Sequence, residues 1–267
     1  MRKTVFEAAA GRAAAAALLA WPVAWLLAGL LASAAASAAV DAVPPPLPAA
    51  RQASEAAVTV PDTLAQRLKP CMACHGAQGR ASREGYLPRI AGKPAGYLYQ
   101  QLLNFRDGRR SNATMAGFLA HQRDDYLREM AGYFAALDLP QAAPPAATAP
   151  AALLARGEAL VREGDSARRL PACTACHGSA LAGTLPAVPG LLGLPRDYLS
   201  AQLGAWQTGS RHATAPDCMA VISQRLGPGD VSAVAAWLST QAASGAPAAA
   251  MQQPSPLPCG SIATPPR

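Results

Sequence analysis

Cys71-Met72-Ala73-Cys74-His75 returns later in the same chain as Cys173-Thr174-Ala175-Cys176-His177. Two cysteines separated by two residues and followed at once by histidine form the attachment signature of a c-type haem. The spacing has a chemical reason: the two thiols reach the two vinyl groups of one porphyrin as thioethers, and the adjacent imidazole is placed to ligate the iron. Each copy is followed by glycine, Gly76 and Gly178. The duplication predicts two covalently bound haem c groups, held by Cys71 with Cys74 and Cys173 with Cys176, with His75 and His177 as proximal ligands. Paired cysteines and a histidine also bind zinc, but that alternative leaves the repeated downstream region and the leader without a purpose.

The register extends beyond the motif. Cys71 and Cys173 are displaced by 102 positions; after one deletion Pro88 and Pro189, Gly92 and Gly193, Pro94 and Pro195, Tyr97 and Tyr198, Gln101 and Gln202, Phe105 and Trp206, and Arg110 and Arg211 are displaced by 101. Met115 and Met219 follow at 104. An ordered register with two small gaps marks a duplicated unit.

Apolar spacing predicts helices throughout: leading helices over Asp62–Leu68 and Leu153–Arg162, central helices over Tyr97–Phe105 and Tyr198–Trp206, and closing helices over Asp124–Leu137 and Gly229–Thr240. No segment alternates as a strand. The expected fold is all-α: two tandem domains, each wrapped around one haem.

Sorting the methionines gives the sixth ligands. Met1 starts the chain, Met72 lies between attachment cysteines, Met130 falls in a closing helix and Met251 in the tail. Met115 and Met219 occupy equivalent positions, expected in irregular segments between helices where a thioether could cross the ring. A methionine there can also be gap-filling core, but the shared register favours axial ligation. His/Met ligation raises the reduction potential and fills both axial positions, as suits an electron carrier with no open iron. His121 and His212 compete for those axial roles, but both are expected at the surface or in hydrogen bonds. Arg110 and Arg211, equivalent and near the methionines, are expected either beside a propionate or solvated. Tyr97, Tyr198, Phe105 and Trp206 are expected to pack around the haems or within ordinary helix contacts.

The remaining segments are compositional. Residues 1–39 have a positive start (Arg2, Lys3, Arg12), a 19-residue apolar stretch from Ala13 to Leu31 and a run of small residues ending Ser37-Ala38-Ala39. They read as a signal peptide, with an uncleaved anchor as the alternative. Either places the body outside the cytoplasm, in the periplasm. Residues 40–58 and 141–150 are Pro/Ala-rich linkers, residues 59–140 and 151–243 the two domains, and residues 244–267 a Pro/Ala-rich tail. The formal charge of +7 includes the leader, and haem propionates would offset more of it. No dense Lys/Arg run appears, so nucleic acid is not an expected partner.

Cys218 and Cys259 are left over after haem attachment. An even pair in an exported chain predicts a disulfide tying the tail to the Met219 segment. A thiolate from Cys218 on the second iron is the alternative.

With these residues in hand, both halves resemble class I cytochrome c domains, and the tandem resembles the dihaem cytochrome c4-type family. The residues that carry the likeness are Cys71, Cys74, His75 and Met115, then Cys173, Cys176, His177 and Met219. The resemblance implies a small helical fold per half, with leading and closing helices crossing. It also implies periplasmic electron transfer with protein partners such as a membrane oxidase, reductase or dehydrogenase. Alternative functions are a haem subunit of a larger dehydrogenase complex, a dihaem peroxidase or a sulfur-oxidising enzyme.

Overall fold

The structure is a computed structural model that describes residues 60–81, 86–243, 248–250 and 254–262. The expected signal peptide and first linker, residues 1–58, lie outside the described residues, as does part of the tail.

The first repeat contains α1 (Leu64–Arg67), α2 (Lys69–His75), α3 (Ala95–Arg106), α4 (Ala113–Leu119) and α5 (Asp124–Ala135). The second contains α6 (Ala151–Arg162), α7 (Thr174–His177), α8 (Arg196–Gln207), α9 (Cys218–Arg225) and α10 (Pro228–Ser239). Residues 137–150 carry neither helix nor strand. Pro94 and Pro195 hold extended backbone at the N-caps of α3 and α8, so each central helix starts at the same point of the repeat.

Each repeat has its own core. Leu68, Leu98, Tyr99, Leu127, Met130 and Phe134 form the first; Leu160, Val161, Tyr198, Leu199, Trp237 and Leu238 belong to the second. In the second, α6 packs against α10 at Gly157, where a β-carbon would run into the Ala233 carbonyl and lie 2.8 Å from Trp237 Cβ. The buried alanines Ala233, Ala235 and Ala236 on α10 complete this close approach of two backbones. The first repeat has only the four-residue α1 in the leading position, and α3 against α5 carries its core.

The all-α expectation holds, with three short strands as the exception. β1 (Gly183–Leu185) pairs antiparallel with β2 (Val188–Pro189) and parallel with β3 (Ala249–Ala250). Strands of two or three residues are too short to show alternation in sequence. Among the described residues no helix is long and apolar enough to cross a membrane.

The repeats meet along an antiparallel bridge between Arg110 and Arg211. Ser111 N–H donates to Ser210 O at 2.9 Å and His212 N–H to Arg109 O at 2.6 Å. Gly96 faces the Pro186 carbonyl, which a β-carbon would approach to 2.6 Å.

Candidate haem sites

In each repeat the motif ends a helix at histidine, and a glycine with positive φ, 75° at Gly76 and 83° at Gly178, turns the chain away. This left-handed conformation is accessible to glycine at little cost. The loop that follows returns a proline carbonyl to the imidazole: His75 Nδ1 donates to Pro88 O at 2.9 Å and His177 Nδ1 to Pro189 O at 2.7 Å. With Nδ1 protonated, Nε2 is the nitrogen left to bind a metal, and the hydrogen bond fixes the ring's orientation. Burial lowers the pKa of both histidines, the carbonyl bonds opposing it, a shift in favour of the neutral ring, the form that ligates. Pro88 and Pro189 are matched in the repeat register, but their role is not apparent from sequence beyond a proline 13 and 12 residues past each histidine.

A cavity of about 170 Å³ opens in the second repeat, with Lys93, Tyr97 and Gln101 of the first repeat at its wall. Cys173, Cys176, His177 and Met219 all line it, between Leu191, Leu199, Trp206 and Leu238. Burial pushes the Cys173 thiol up to about 11 and raises those of Cys71 and Cys176. Raised thiols in an apolar wall disfavour the thiolates that a zinc site requires. Among the described residues no three His, Cys, Asp or Glu side chains converge as a metal site.

The methionines are not in irregular segments, as expected from sequence, but in the first turns of short helices. Asn112 caps α4 by accepting from Met115 N at 2.9 Å, and Asp217 caps α9 by accepting from Ala220 N at 3.0 Å. Asn and Asp are strong N-cap residues, and that signal could have placed both helices. Met115 packs against the first core and Met219 faces the second cavity. His121 and His212 are exposed.

Arg110 and Arg211 come together between the repeats. Arg110 bonds Gln101 at 3.0 Å and Gln202 at 2.6 Å; Arg211 bonds Gln202 at 2.7 Å and Gln101 at 2.9 Å. Arg110 lies 4.5 Å from the Phe105 ring centroid and Arg211 3.7 Å from that of Trp206. Lys93 from the first repeat lines the second cavity beside them. Among the described residues none of these cations has a carboxylate partner, although Arg211 is only 4% exposed. Buried cations demand compensation, and the propionates of a haem bound in this cavity would be anions of the right kind. The donor set, the apolar cavity and this uncompensated charge all fit haem.

Cys218 and Cys259 are joined as a disulfide, with Cα atoms 4.9 Å apart. Cys218 is therefore no thiolate ligand, which removes that alternative.

No family model matches the chain. A thiosulfate dehydrogenase electron acceptor from Thiomonas intermedia (strain K12) is 36% identical over 171 residues, 64% of this chain and 78% of that protein. A cytochrome c4 from Pseudomonas aeruginosa is 33% identical over 170 residues, 63% of this chain and 82% of the relative. Among solved structures, reduced cytochrome c4 from Pseudomonas stutzeri matches with a TM-score of 0.57 and 28% identity over 65% of this chain and 94% of its own. The thiosulfate dehydrogenase (TsdBA) of Marichromatium purpuratum also matches at 0.57, with 34% identity over 64% of this chain but only 36% of its own length. The doubled haem motif, the two helical cores and these likenesses together place the chain in the cytochrome c4-type family of dihaem electron carriers.

Proposed function

We propose that the chain is exported by residues 1–39 and works in the periplasm, exchanging one electron per haem with redox proteins. In this reading residues 59–140 and 151–243 are the two haem domains. Cys71 and Cys74 hold the first haem and Cys173 and Cys176 the second; His75 with Met115 and His177 with Met219 are the axial ligands. The bound haem supplies a reversible one-electron couple with both axial positions filled. The chain's own residues set its environment. The carbonyls of Pro88 and Pro189 orient the imidazoles, the apolar walls exclude water, and Arg110, Arg211 and Lys93 hold propionate charge.

The observation that carries this reading is the histidine–carbonyl pair built twice on either side of a cationic seam. Intact-mass measurement and a spectroelectrochemical titration, with and without cyanide, test it. The expected result is two haems, two one-electron waves, a methionine-to-iron charge-transfer band from each oxidised haem and no fast cyanide binding. A single haem, or a site open to cyanide, sinks it.

A second reading concerns the partner. Two curated relatives are named thiosulfate dehydrogenase electron acceptors, which favours a dehydrogenase of inorganic sulfur compounds as electron donor. Mixing the oxidised protein with a thiosulfate dehydrogenase and thiosulfate should reduce both haems; no reduction above the enzyme-free control rejects this donor. The apolar stretch at residues 13–31 would, if retained, tether the carrier to the membrane.

A further inference from the structure

The tail segment Pro254-Ser255-Pro256-Leu257-Pro258-Cys259 alternates proline with other residues, and its burial alternates in step. Pro254, Pro256 and Pro258 are exposed, while Ser255, Leu257 and Cys259 are half-buried. Those three inward residues, with Ser261 and Ile262, line the second cavity. Proline fixes φ and lowers the entropy lost when such a strap is laid down.

The segment is fastened at both ends to the site itself. Upstream, β3 pairs with β1 at Thr184 and Leu185, and Thr184 Oγ1 donates to the carbonyl of Cys176 at 3.0 Å. Downstream, Cys259 is bonded to Cys218, the residue before Met219, and Gly260 N–H donates to Pro216 O at 2.9 Å. Between the anchors, Ser255 Oγ lies 3.8 Å from Cys176 Sγ. The attachment cysteine Cys74 of the first repeat is exposed, whereas its counterpart Cys176 is half-buried.

We propose that residues 254–262 are a disulfide-fastened strap that closes the thioether edge of the second haem and steadies α9. Access of outside molecules to the second haem is thereby slower than to the first. This rests on the assignment of the second haem to the cavity of Cys173, Cys176 and His177.

The test uses the full-length holoprotein and a Cys218→Ser/Cys259→Ser variant, both first shown by intact mass to carry two haems. In the fully oxidised state, where electron transfer between haems plays no part, imidazole displacement of the methionines is followed through the charge-transfer band. The native protein should lose the band in a fast and a slow phase. The variant should accelerate only the slow phase, by about thirtyfold, as expected when a loop-closing disulfide is lost. Hydrogen exchange should rise in peptides covering residues 173–190 and 211–226 and stay unchanged around residues 71–90. Equal rates for both haems in the native protein, or an unaltered slow phase in the variant, overturns the strap. Absence of haem on Cys173 and Cys176 in the native protein overturns the site assignment instead. If the double variant loses haem, Leu257→Asp, which keeps the disulfide and spoils the apolar plug, decides by the same readouts.

Discussion

Arg110 and Arg211 are bridge partners across the seam between the repeats, and each guanidinium bonds the glutamine of the other repeat, at 2.6 Å to Gln202 and 2.9 Å to Gln101. Each also bonds the glutamine of its own repeat, at 3.0 and 2.7 Å. The arrangement is an internal two-fold: exchanging residue 101 for 202 and 110 for 211 leaves the bonding pattern unchanged. Duplicated sequence has thus made an interface with the self-complementarity of a symmetric dimer.

Gln101→Leu or Gln202→Leu removes an acceptor shared by two cations. Each should lower stability by about 2 kcal/mol, the usual scale for a hydrogen bond to a charged group. The double variant should depart from additivity because both act in one network. Denaturant unfolding of the holoproteins measures this; effects near zero would show the glutamines to be passive.

Arg211→Met removes a buried positive charge beside the second cavity. A cation near haem disfavours the extra positive charge of the oxidised iron, so its loss should lower the second reduction potential more than the first. Spectroelectrochemistry reads both potentials on one sample. An unchanged second potential would place Arg211 in interface packing alone.

Met219→Ala should abolish about half of the oxidised charge-transfer band and let one haem per chain bind carbon monoxide when reduced, with a fall in that haem's potential. Met115→Ala should do the same for the other haem. If either variant keeps the full band, its methionine is core filling and another side chain is the ligand.

The central helices were legible because the repeat wrote them twice: the expected Tyr97–Phe105 and Tyr198–Trp206 lie inside α3 and α8, whereas the short α4 and α9 read from sequence as irregular segments. The Cys-His motifs and the methionine register were equally visible. Other features depend on contacts between distant segments. That Pro88 and Pro189 lend carbonyls to the histidines is a backbone property that any residue could supply, so residue type alone cannot reveal it. Gln101 and Gln202 were matched by register, but their shared role needs both repeats folded against each other. The arginines' register suggests propionate or solvent, and the seam that joins them has no local signature. The tail's alternating prolines were in plain view, whereas the cavity that gives their period a direction was not.

Asp230 ties the leading segments of the second repeat to the start of α10. Its carboxylate accepts from Arg168 at 2.6 Å, Arg156 at 3.0 Å and the Gly227 N–H at 3.1 Å. Burial works to raise its pKa, but the bonds from Arg168, Gly227 and Arg156 outweigh it and hold the carboxyl below the usual value. A carboxyl depressed in the folded state stabilises fully above its unfolded pKa of about 3.9, and that contribution drains away as pH falls through the lower folded value. Asp230→Asn should therefore cost about 2 kcal/mol at neutral pH, with the gap to the native protein narrowing only once the pH drops below about 4. Thermal unfolding of both proteins across that range is the measurement. A gap that stays constant down to the acid limit would mean that asparagine fails through lost shape, and that the charge of Asp230 contributes nothing.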